Sequence, residues 1–542
     1  MATGWIDELI ADGSANAALL LAPPGCGKTE EIARFCGAVI ERRLLQQGEH
    51  ILALTFSKKA RANLRQRIAV RVGPVTHQRV EVRNFHALGF ALARQHWDHL
   101  GLHKPPDGPR TGWLDDLHRD LAQAHRISYW DVRSILHDAG LAIKRLVVEE
   151  DELRELMYDH SPVARDYQMR LADAGEIDFD DIMRLGCRAV QVPAVRDVLR
   201  LRYPYLVVDE VQDLTVEQYE MAAAVGQRRQ VFAGDIHQAI YDWAGAQPET
   251  VLERIRVLPA STIDLVTSWR SSPEVLRVVS AVSKALGGPN IQAAAPDQWP
   301  SELFAMQAFE DVVEEADAVV DMAAEWLERG DGSSVAVIAR SNARLRSIVD
   351  IAVGRQMPLE VWDEPAFSPD VARILRSSLV SVNSDTSDAL RDLRNAAVRL
   401  VDALDFETAD ELDRALRSFE ERGLDYETLH HDIANIRVAS TGSAPVGPGL
   451  HVLSSHKGKG QQFDRVVVVG LEEDILPSFP ALKEGTSAAL TQELRTLLVM
   501  LSRAREAVVV THARRVPNTN GVLRVRQGSR FLAILPEPTK LE

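Results

Sequence analysis

The 542-residue sequence predicts an α/β protein with parallel sheets and helical insertions, on three observations. Short apolar runs alternate with amphipathic stretches, the signature of strands joined by crossover helices. One such run, Ala17–Leu21, passes straight into APPGCGKT at Ala22–Thr29. Another, YLVVD at Tyr205–Asp209, ends in the paired carboxylates Asp209 and Glu210, followed by Gln212 and Asp213. The length exceeds one ordinary domain and implies about three or four.

Taken in order, the strand-like runs of the first half are Ala17 to Leu21, Ile51 to Thr55, Val80 to Arg83, Tyr205 to Asp209, Gln230 to Ala233 and Ile263 to Val266. The run at Tyr205 has no polar face, which predicts a central strand in a sheet covered on both sides. Between about Ala91 and Asp166 the alternation stops, and Trp113–Leu121, Val132–Leu141 and Glu152–Met157 carry helical patterning, a helical insertion. Strand signals resume at Val335–Ala339, His451–Leu453, Val466–Val469 and Val508–Thr511 and predict a second α/β domain. It is interrupted by a helix-like, acidic stretch from about Pro369 to Arg437 and a loop, STGSAPVGPG. No internal repeat or low-complexity tail is evident.

The loop after Leu21 cannot be helical before Lys28, because Pro23, Pro24, Gly25 and Gly27 occupy it. Such a loop aims backbone N–H groups at phosphate, Lys28 adds charge at the terminal phosphates, and the Thr29 hydroxyl can bind Mg²⁺. The bland alternative is a Gly-rich turn with a chance GKT, and Ala22 stands where the consensus has Gly. Asp209 suits the Mg²⁺ shell, and Glu210 suits orienting and deprotonating an attacking water. An acidic pair after a strand is more often a helix cap or a solvated turn, but the phosphate loop in the same chain favours the chemical reading.

Composition narrows the rest. The chain is 46% apolar and 26% charged, as soluble globular proteins are. It has no apolar run of bilayer length and no basic-apolar-small leader, which predicts a cytoplasmic protein without membrane contact. Cys26, Cys36 and Cys187 are too few and scattered for a disulfide framework or zinc site, and Cys26 in the phosphate loop is a candidate for alkylation. A net charge of −16 does not exclude nucleic acid, because binding needs only a local basic track. Lys58, Lys59, Arg61, Arg65 and Arg67 form one cluster, and Arg514, Arg515, Arg524 and Arg526 another, each equally readable as a solvated face.

The ordered motifs resemble the UvrD/Rep/PcrA family of superfamily 1 DNA helicases over nearly the whole chain. Beside the two sites above stand ILALTFSKKARANLRQRI (Ile51–Ile68), VRNFHALGF (Val82–Phe90) and YQMRLADAGEIDFDDI (Tyr167–Ile182). Then come GDIHQAIYDWAGA (Gly234–Ala246), LVTSWRSSPEVL (Leu265–Leu276) and VAVIARSNARLR (Val335–Arg346). SSHKGKGQQFDRVVVVGLEEDILPS (Ser454–Ser478), ELRTLLVMLSRAR (Glu493–Arg505) and SRFL (Ser529–Leu532) complete the family order.

The resemblance implies two RecA-like P-loop NTPase domains with helical insertions, ATP and Mg²⁺ between them, and single-stranded or tailed duplex DNA across their tops. The implied partition is a first RecA-like domain at 1–90 with 165–270, a helical insertion at 91–164, a second RecA-like domain at 271–368 with 446–542, and a reduced second insertion at 369–445. It makes Gly25, Gly27, Lys28 and Thr29 the nucleotide loop, with Thr29 and Asp209 toward the metal and Glu210 toward water. Arg270 and Arg503 match arginine fingers, and Gln238 matches the γ-phosphate sensor. Tyr241 and Trp243 match base-stacking residues, although core packing would be the reading of an isolated Tyr-x-Trp. Phe56, His86, His456 and Lys459 match positions on the DNA or coupling side.

Departures fall at nucleotide contacts. No Gln precedes Lys28 to read adenine, Trp269 replaces a stacking Tyr, Gln462 replaces a Glu near the ribose, Asn63 another Glu, and Leu498 an aromatic. The missing Gln implies an NTPase of relaxed base preference, whereas Trp269 keeps a stacking face and Gln462 an acceptor. The interval from Arg346 to Ser454 is shorter than the family's second insertion, and no nuclease signature follows Arg505. The expected activity is a 3′-to-5′ DNA translocase or helicase. The alternatives are a DNA-activated regulatory NTPase that licenses a partner nuclease, as in Gabija-type antiphage systems, and a non-catalytic DNA-binding protein, which the intact site residues disfavour.

Overall fold

The computed structural model describes residues 4–11, 16–73, 76–226, 228–299, 303–362, 367–382, 389–401, 405–422, 426–434, 436, 438, 446–518 and 521–539. Six strands form the first sheet: β1 (Ala17–Leu21), β2 (Ile51–Thr55), β3 (Val80–Asn84), β4 (Tyr205–Asp209), β5 (Arg229–Gly234) and β6 (Ala260–Asp264). They pair in parallel in the order β3-β2-β4-β5-β1-β6, which puts β1 and β4 inside the sheet. The period of two divides them between two cores. Leu19, Leu52, Leu54, Leu206, Val208 and Phe232 pack on one face against Phe85, Leu88, Ile182 and Met221. Leu20, Ile51, Ala53, Tyr205, Val207 and Val231 pack on the other against Ile32, Phe35, Leu64 and Ile68.

A two-stranded pair, β7 (Thr267–Ser268) and β8 (Gln292–Ala293), precedes the second sheet. That sheet holds β9 (Leu303–Asp311), β10 (Ser334–Ala339), β11 (Leu359–Val361), β12 (Gly449–Ser454), β13 (Phe463–Val468), β14 (Ala504–Pro517) and β15 (Leu523–Val525). Its order is β11-β12-β10-β13-β14-β15 with β9 also on β14, and only β15 runs antiparallel. It too is covered on both faces, by helix Pro273–Ala285 with Ser487–Leu501 on one and by Val312–Glu328 with Arg346–Gly354 on the other.

Helices Thr111–His125, Tyr129–Ala142, Glu150–His160 and Pro162–Ala174 interrupt the first sheet's strand sequence and bury their own core around Leu117, Leu121, Leu153 and Met157. Helices Pro369–Leu379, Ala389–Val398, Phe406–Arg422 and Tyr426–Ala434 interrupt the second and close around Leu375, Leu393, Leu416 and Leu429. Helix Phe406–Arg422 also lies on the first α/β domain. Phe406 joins that domain's core with its ring 4.9 Å from Phe90. Glu407 accepts from Asn84 Nδ2 at 2.7 Å, Asp410 from the Thr111 N–H at 2.7 Å, and Arg61 and Lys58 lie 3.6 Å from Glu407 and Glu411.

The expected parallel α/β architecture with helical insertions is therefore present. Several elements differ from expectation, and β7, β8, β11 and β15 were not anticipated. The strand at Ile263–Val266 starts at Ala260 and stops at Asp264, where β1 ends beside it. β14 continues to Pro517 rather than Thr511, because β9 pairs it as far as Arg515 and β15 from there to Pro517. β9 itself was not anticipated: LFAMQAFED lies at a sheet edge with mixed exposure and lacks a buried strand's uniform pattern. Arg437 and most of the expected STGSAPVGPG loop, residues 440–445, lie outside the described residues. No described helix is long and apolar enough to cross a membrane.

Candidate active site

The site forms where β1, β4 and β5 end at their carboxyl edge, the usual crevice of open α/β sheets. The Ala22 N–H donates to the Gly234 carbonyl at 3.1 Å, tying the loop after β1 to the end of β5. Gly25 and Gly27 have φ of +78° and +87°, the left-handed region glycine tolerates. A Cβ on Gly25 would fall 2.6 Å from Arg270 Cβ and 2.7 Å from Ser268 Oγ, and its carbonyl accepts from the Trp269 N–H at 3.0 Å. The loop and the Ser268–Arg270 segment thus close on each other only around glycine. Ala22, buried and without a positive φ, meets no demand for glycine. Helix Lys28–Glu41 starts at the loop's end with its free N–H groups toward the crevice.

Asp209 ends β4 buried, and Glu210 follows in the left-handed region at φ 58°, ψ 46°. The Glu210 N–H donates to Asp209 Oδ1 at 2.9 Å. Lys28 Nζ lies 2.9 Å from Glu210 Oε2, and Gln212 Nε2 donates to the same oxygen at 2.5 Å. Burial, then Glu210's charge, raises the Asp209 pKa above the ordinary carboxylate range. Burial would raise Glu210 too, but Lys28 and Lys459 outweigh it and hold Glu210 low. Burial opposes the charge on Lys28, yet Glu210 and Asp209 together push it up to about 12. A phosphate-bound Mg²⁺ needs only one or two protein oxygens. The Thr29 hydroxyl, just after the loop, and the Asp209 carboxylate, at the end of β4, are oxygens of the kind such an ion takes.

A hydrogen-bonded chain runs on from the carboxylates. Gln212 Oε1 accepts from the Asp235 N–H at 3.0 Å, Asp235 Oδ2 from Gln238 Nε2 at 2.8 Å, and Gln238 Oε1 from Arg503 Nη2 at 3.0 Å. Arg503 is buried, and burial followed by repulsion from Arg270 lowers its pKa. Arg270 is lowered by burial as well, with Arg505 and Arg67 adding repulsion. Cations crowded in this way gain from a polyanion between them. Lys459 Nζ crosses from the second domain to both Asp213 oxygens, at 2.6 and 2.7 Å, and to the Gln238 carbonyl at 2.8 Å.

The same ammonium sits 4.7 Å over the Tyr241 ring. Phe56 stacks on Tyr241 with centroids 5.2 Å apart, and Trp243 and His456 each lie 6.2 Å from Tyr241 and from one another. Trp243 is 63% exposed. Four of the five residues expected on the DNA side therefore form one surface cluster. His86 instead faces Phe179, 6.1 Å away, beside the acidic helix Phe406–Arg422. Trp269 is 61% exposed next to the loop, and Gln462 is exposed beside Gln461, whose carbonyl accepts from Arg503 at 3.3 Å.

Cys26 departs from its expected reactivity: the thiol is buried, and burial followed by Asp235 pushes its pKa up to about 12, where little thiolate exists. Gln212, Asp213 and Asp235 had no assigned part, although the first two belong to the motif that marked Asp209. Asp235 stands in the GDIHQAIYDWAGA motif, and all three residues follow the carboxyl end of a strand of the first sheet.

The UvrD/REP helicase N-terminal domain family matches residues 8–258, and the UvrD-like helicase C-terminal domain family matches residues 414–515. The chain is 26% identical over 572 residues to the ATP-dependent DNA helicase UvrD2 of Mycobacterium tuberculosis, covering 96% of this chain and 80% of that protein. It is 24% identical over 636 residues to DNA helicase II of Escherichia coli (98% and 86% covered) and 22% identical over 623 residues to the ATP-dependent DNA helicase PcrA of Staphylococcus epidermidis (96% and 84%). Two parallel-sheet domains, a phosphate loop facing paired carboxylates, and family matches on both halves establish that the chain has a superfamily 1, UvrD/PcrA-like helicase fold with two RecA-like domains.

Proposed function

We propose that this protein is an ATP-driven motor on single-stranded DNA that moves 3′ to 5′. The observation that carries the reading is the unbroken set of contacts from Lys28 and Glu210 through Gln212, Asp235 and Gln238 to Arg503, and through Lys459 to Tyr241. Hydrolysis chemistry and an exposed aromatic cluster are thereby joined within one network spanning both RecA-like domains. Lys28 and the loop N–H groups bind the terminal phosphates, Glu210 orients and deprotonates water, Gln238 senses the γ-phosphate, and Arg270 and Arg503 offset charge on the transferred group. Thr29 and Asp209 would hold a Mg²⁺ ion, which would supply neutralisation of phosphate charge. Tyr241, Trp243, Phe56 and His456 grip bases by stacking, which is sequence-tolerant. Trp269 stacks on the nucleobase, and the absence of the adenine-reading Gln relaxes selection between ATP and GTP.

A second reading is a DNA-activated NTPase that licenses a separate nuclease, as in a Gabija-type assembly, with little unwinding of its own. It is favoured by the acidic helix Phe406–Arg422, which occupies Lys58 and Arg61. Steady-state hydrolysis of ATP and of GTP, with and without single-stranded DNA and with Lys28→Ala as blank, tests both. Strong DNA stimulation of both nucleotides, followed by unwinding of 3′-tailed duplexes, is the expected result. Stimulation without unwinding supports the second reading, and activity indifferent to DNA contradicts both.

A further inference from the structure

Arg145 belongs to the short 3₁₀ turn Lys144–Leu146 of the first helical insertion. Its guanidinium reaches a loop of the RecA-like domain: Nη1 donates to the Gly245 carbonyl at 3.0 Å and Nη2 to the Ala244 carbonyl at 2.8 Å. These carbonyls terminate the 3₁₀ turn Asp242–Ala244, which carries Trp243, and a helical end leaves such acceptors without internal partners. Gly245 leaves the turn at φ +83°, and a Cβ there would fall 1.9 Å from Arg145 Nη1. Glycine and arginine fit as a pair.

The other end of the strut is fixed equally firmly. Lys144 Nζ lies 2.5 Å from Asp178 and 3.0 Å from Asp181, with its side chain 2% exposed. The Tyr167 hydroxyl donates to Asp178 at 3.0 Å. Asp178 and Asp181 form the capping box of helix Phe179–Gln191, which packs into the first sheet's core through Ile182 and Leu185. One residue of the turn is therefore anchored in the core while the next holds the Trp243 loop.

We propose that Arg145 is a positioning residue for nucleic-acid binding: it fixes the Trp243 ring against Tyr241 and His456 before a base arrives, so that little ordering remains to be done on binding. This rests on the reading above that Trp243 stacks on bases. Preorganisation of this kind acts on affinity and leaves the chemical step alone.

The test is binding of a labelled oligo-dT by anisotropy, together with DNA-free and DNA-saturated ATP hydrolysis, for Arg145→Ala, Arg145→Lys, Trp243→Ala and the Arg145→Ala/Trp243→Ala double variant. Arg145→Ala should weaken oligo-dT binding about tenfold, within the worth of one stacked base, with DNA-free and DNA-saturated turnover unchanged. Arg145→Lys should restore part of the affinity, and the double variant should bind no more weakly than Trp243→Ala alone. Unchanged affinity in Arg145→Ala, a matching loss of DNA-free hydrolysis, or additive losses in the double variant would overturn the role of Arg145. Normal affinity in Trp243→Ala would overturn the stacking assignment itself and the role of Arg145 with it.

Discussion

Glu210 combines two costs that ordinary sequence would avoid, a left-handed backbone at φ 58° and a half-buried negative charge. Lys28, Lys459 and Gln212 offset the charge and keep the carboxylate ionised, the state that a proton acceptor requires. Glu210→Gln should retain nucleotide binding and lower turnover by about 10²–10⁴-fold, read from fluorescent-nucleotide titration and single-turnover hydrolysis; near-normal turnover would remove the residue from that role. His86 gives a pH prediction. Burial lowers its pKa against the pull of Glu407 and Asp180, so below the ordinary value near 6.5 the unfolded chain binds more protons than the folded one. Stability from this group is present at pH 7 and lost as pH falls. The melting temperature of the wild type should therefore drop more between pH 7 and 5 than that of His86→Asn, and parallel curves would exclude the effect. That Lys28 meets Glu210 was foreseeable, because a phosphate loop and a carboxylate pair that both follow strands of one parallel sheet come together at its carboxyl edge. Arg145 was not, because it recognises main-chain carbonyls, which leave no trace in the residues that supply them.

At the scale of elements, legibility followed burial. β1, β2 and β4 were read to the residue because both of their faces are covered and their side chains are apolar up to Leu21, Thr55 and Asp209, where they end. β9 escaped because an edge strand with half-exposed residues has neither a uniform nor an alternating pattern. The helix Phe406–Arg422 was legible as acidic and helical, but its seat on the first RecA-like domain depends on pairs such as Asn84 with Glu407, more than 300 residues apart. Glu407 and Glu411 occupy Arg61 and Lys58, two of the cations a polynucleotide would use. At 3.6 Å and partly exposed, these pairs add little stability, about 0–1 kcal/mol each. The Glu407→Gln/Glu411→Gln variant should thus melt close to the wild type yet bind single-stranded DNA several-fold more tightly at low salt, with the difference shrinking as screening rises. Equal affinity at 50 mM salt would show that DNA does not compete for these cations.

Across the whole molecule, the two RecA-like domains meet through an apolar contact, in which Ala22 and Cys26 join the second domain's core, and through polar ties, three of them made by Lys459. Burial pushes Asp213 up to about 6 even with the Lys459 ammonium beside it. Lys459→Met would strand that carboxylate near Glu210, and removing one partner of a buried pair costs roughly 3–5 kcal/mol. Calorimetry should show a lower, broader or split melting transition, and Asp213→Asn added to Lys459→Met should recover much of the loss. A single unshifted transition would mean the domains hold together by other means. Two such domains were foreseeable from repeated strand-loop signals, whereas the ties between them were not, since each joins residues from different halves of the chain. The position of Phe406 in the first domain's core has one more consequence. A ribosome releases β6, the last strand of that domain's sheet, at Asp264, long before residue 406 emerges. During synthesis, Phe90 and Phe179 must therefore wait for their aromatic neighbour until β9, β10 and β11 of the second sheet have also been made, and a fragment ended after the first sheet would leave that apolar surface open to other chains.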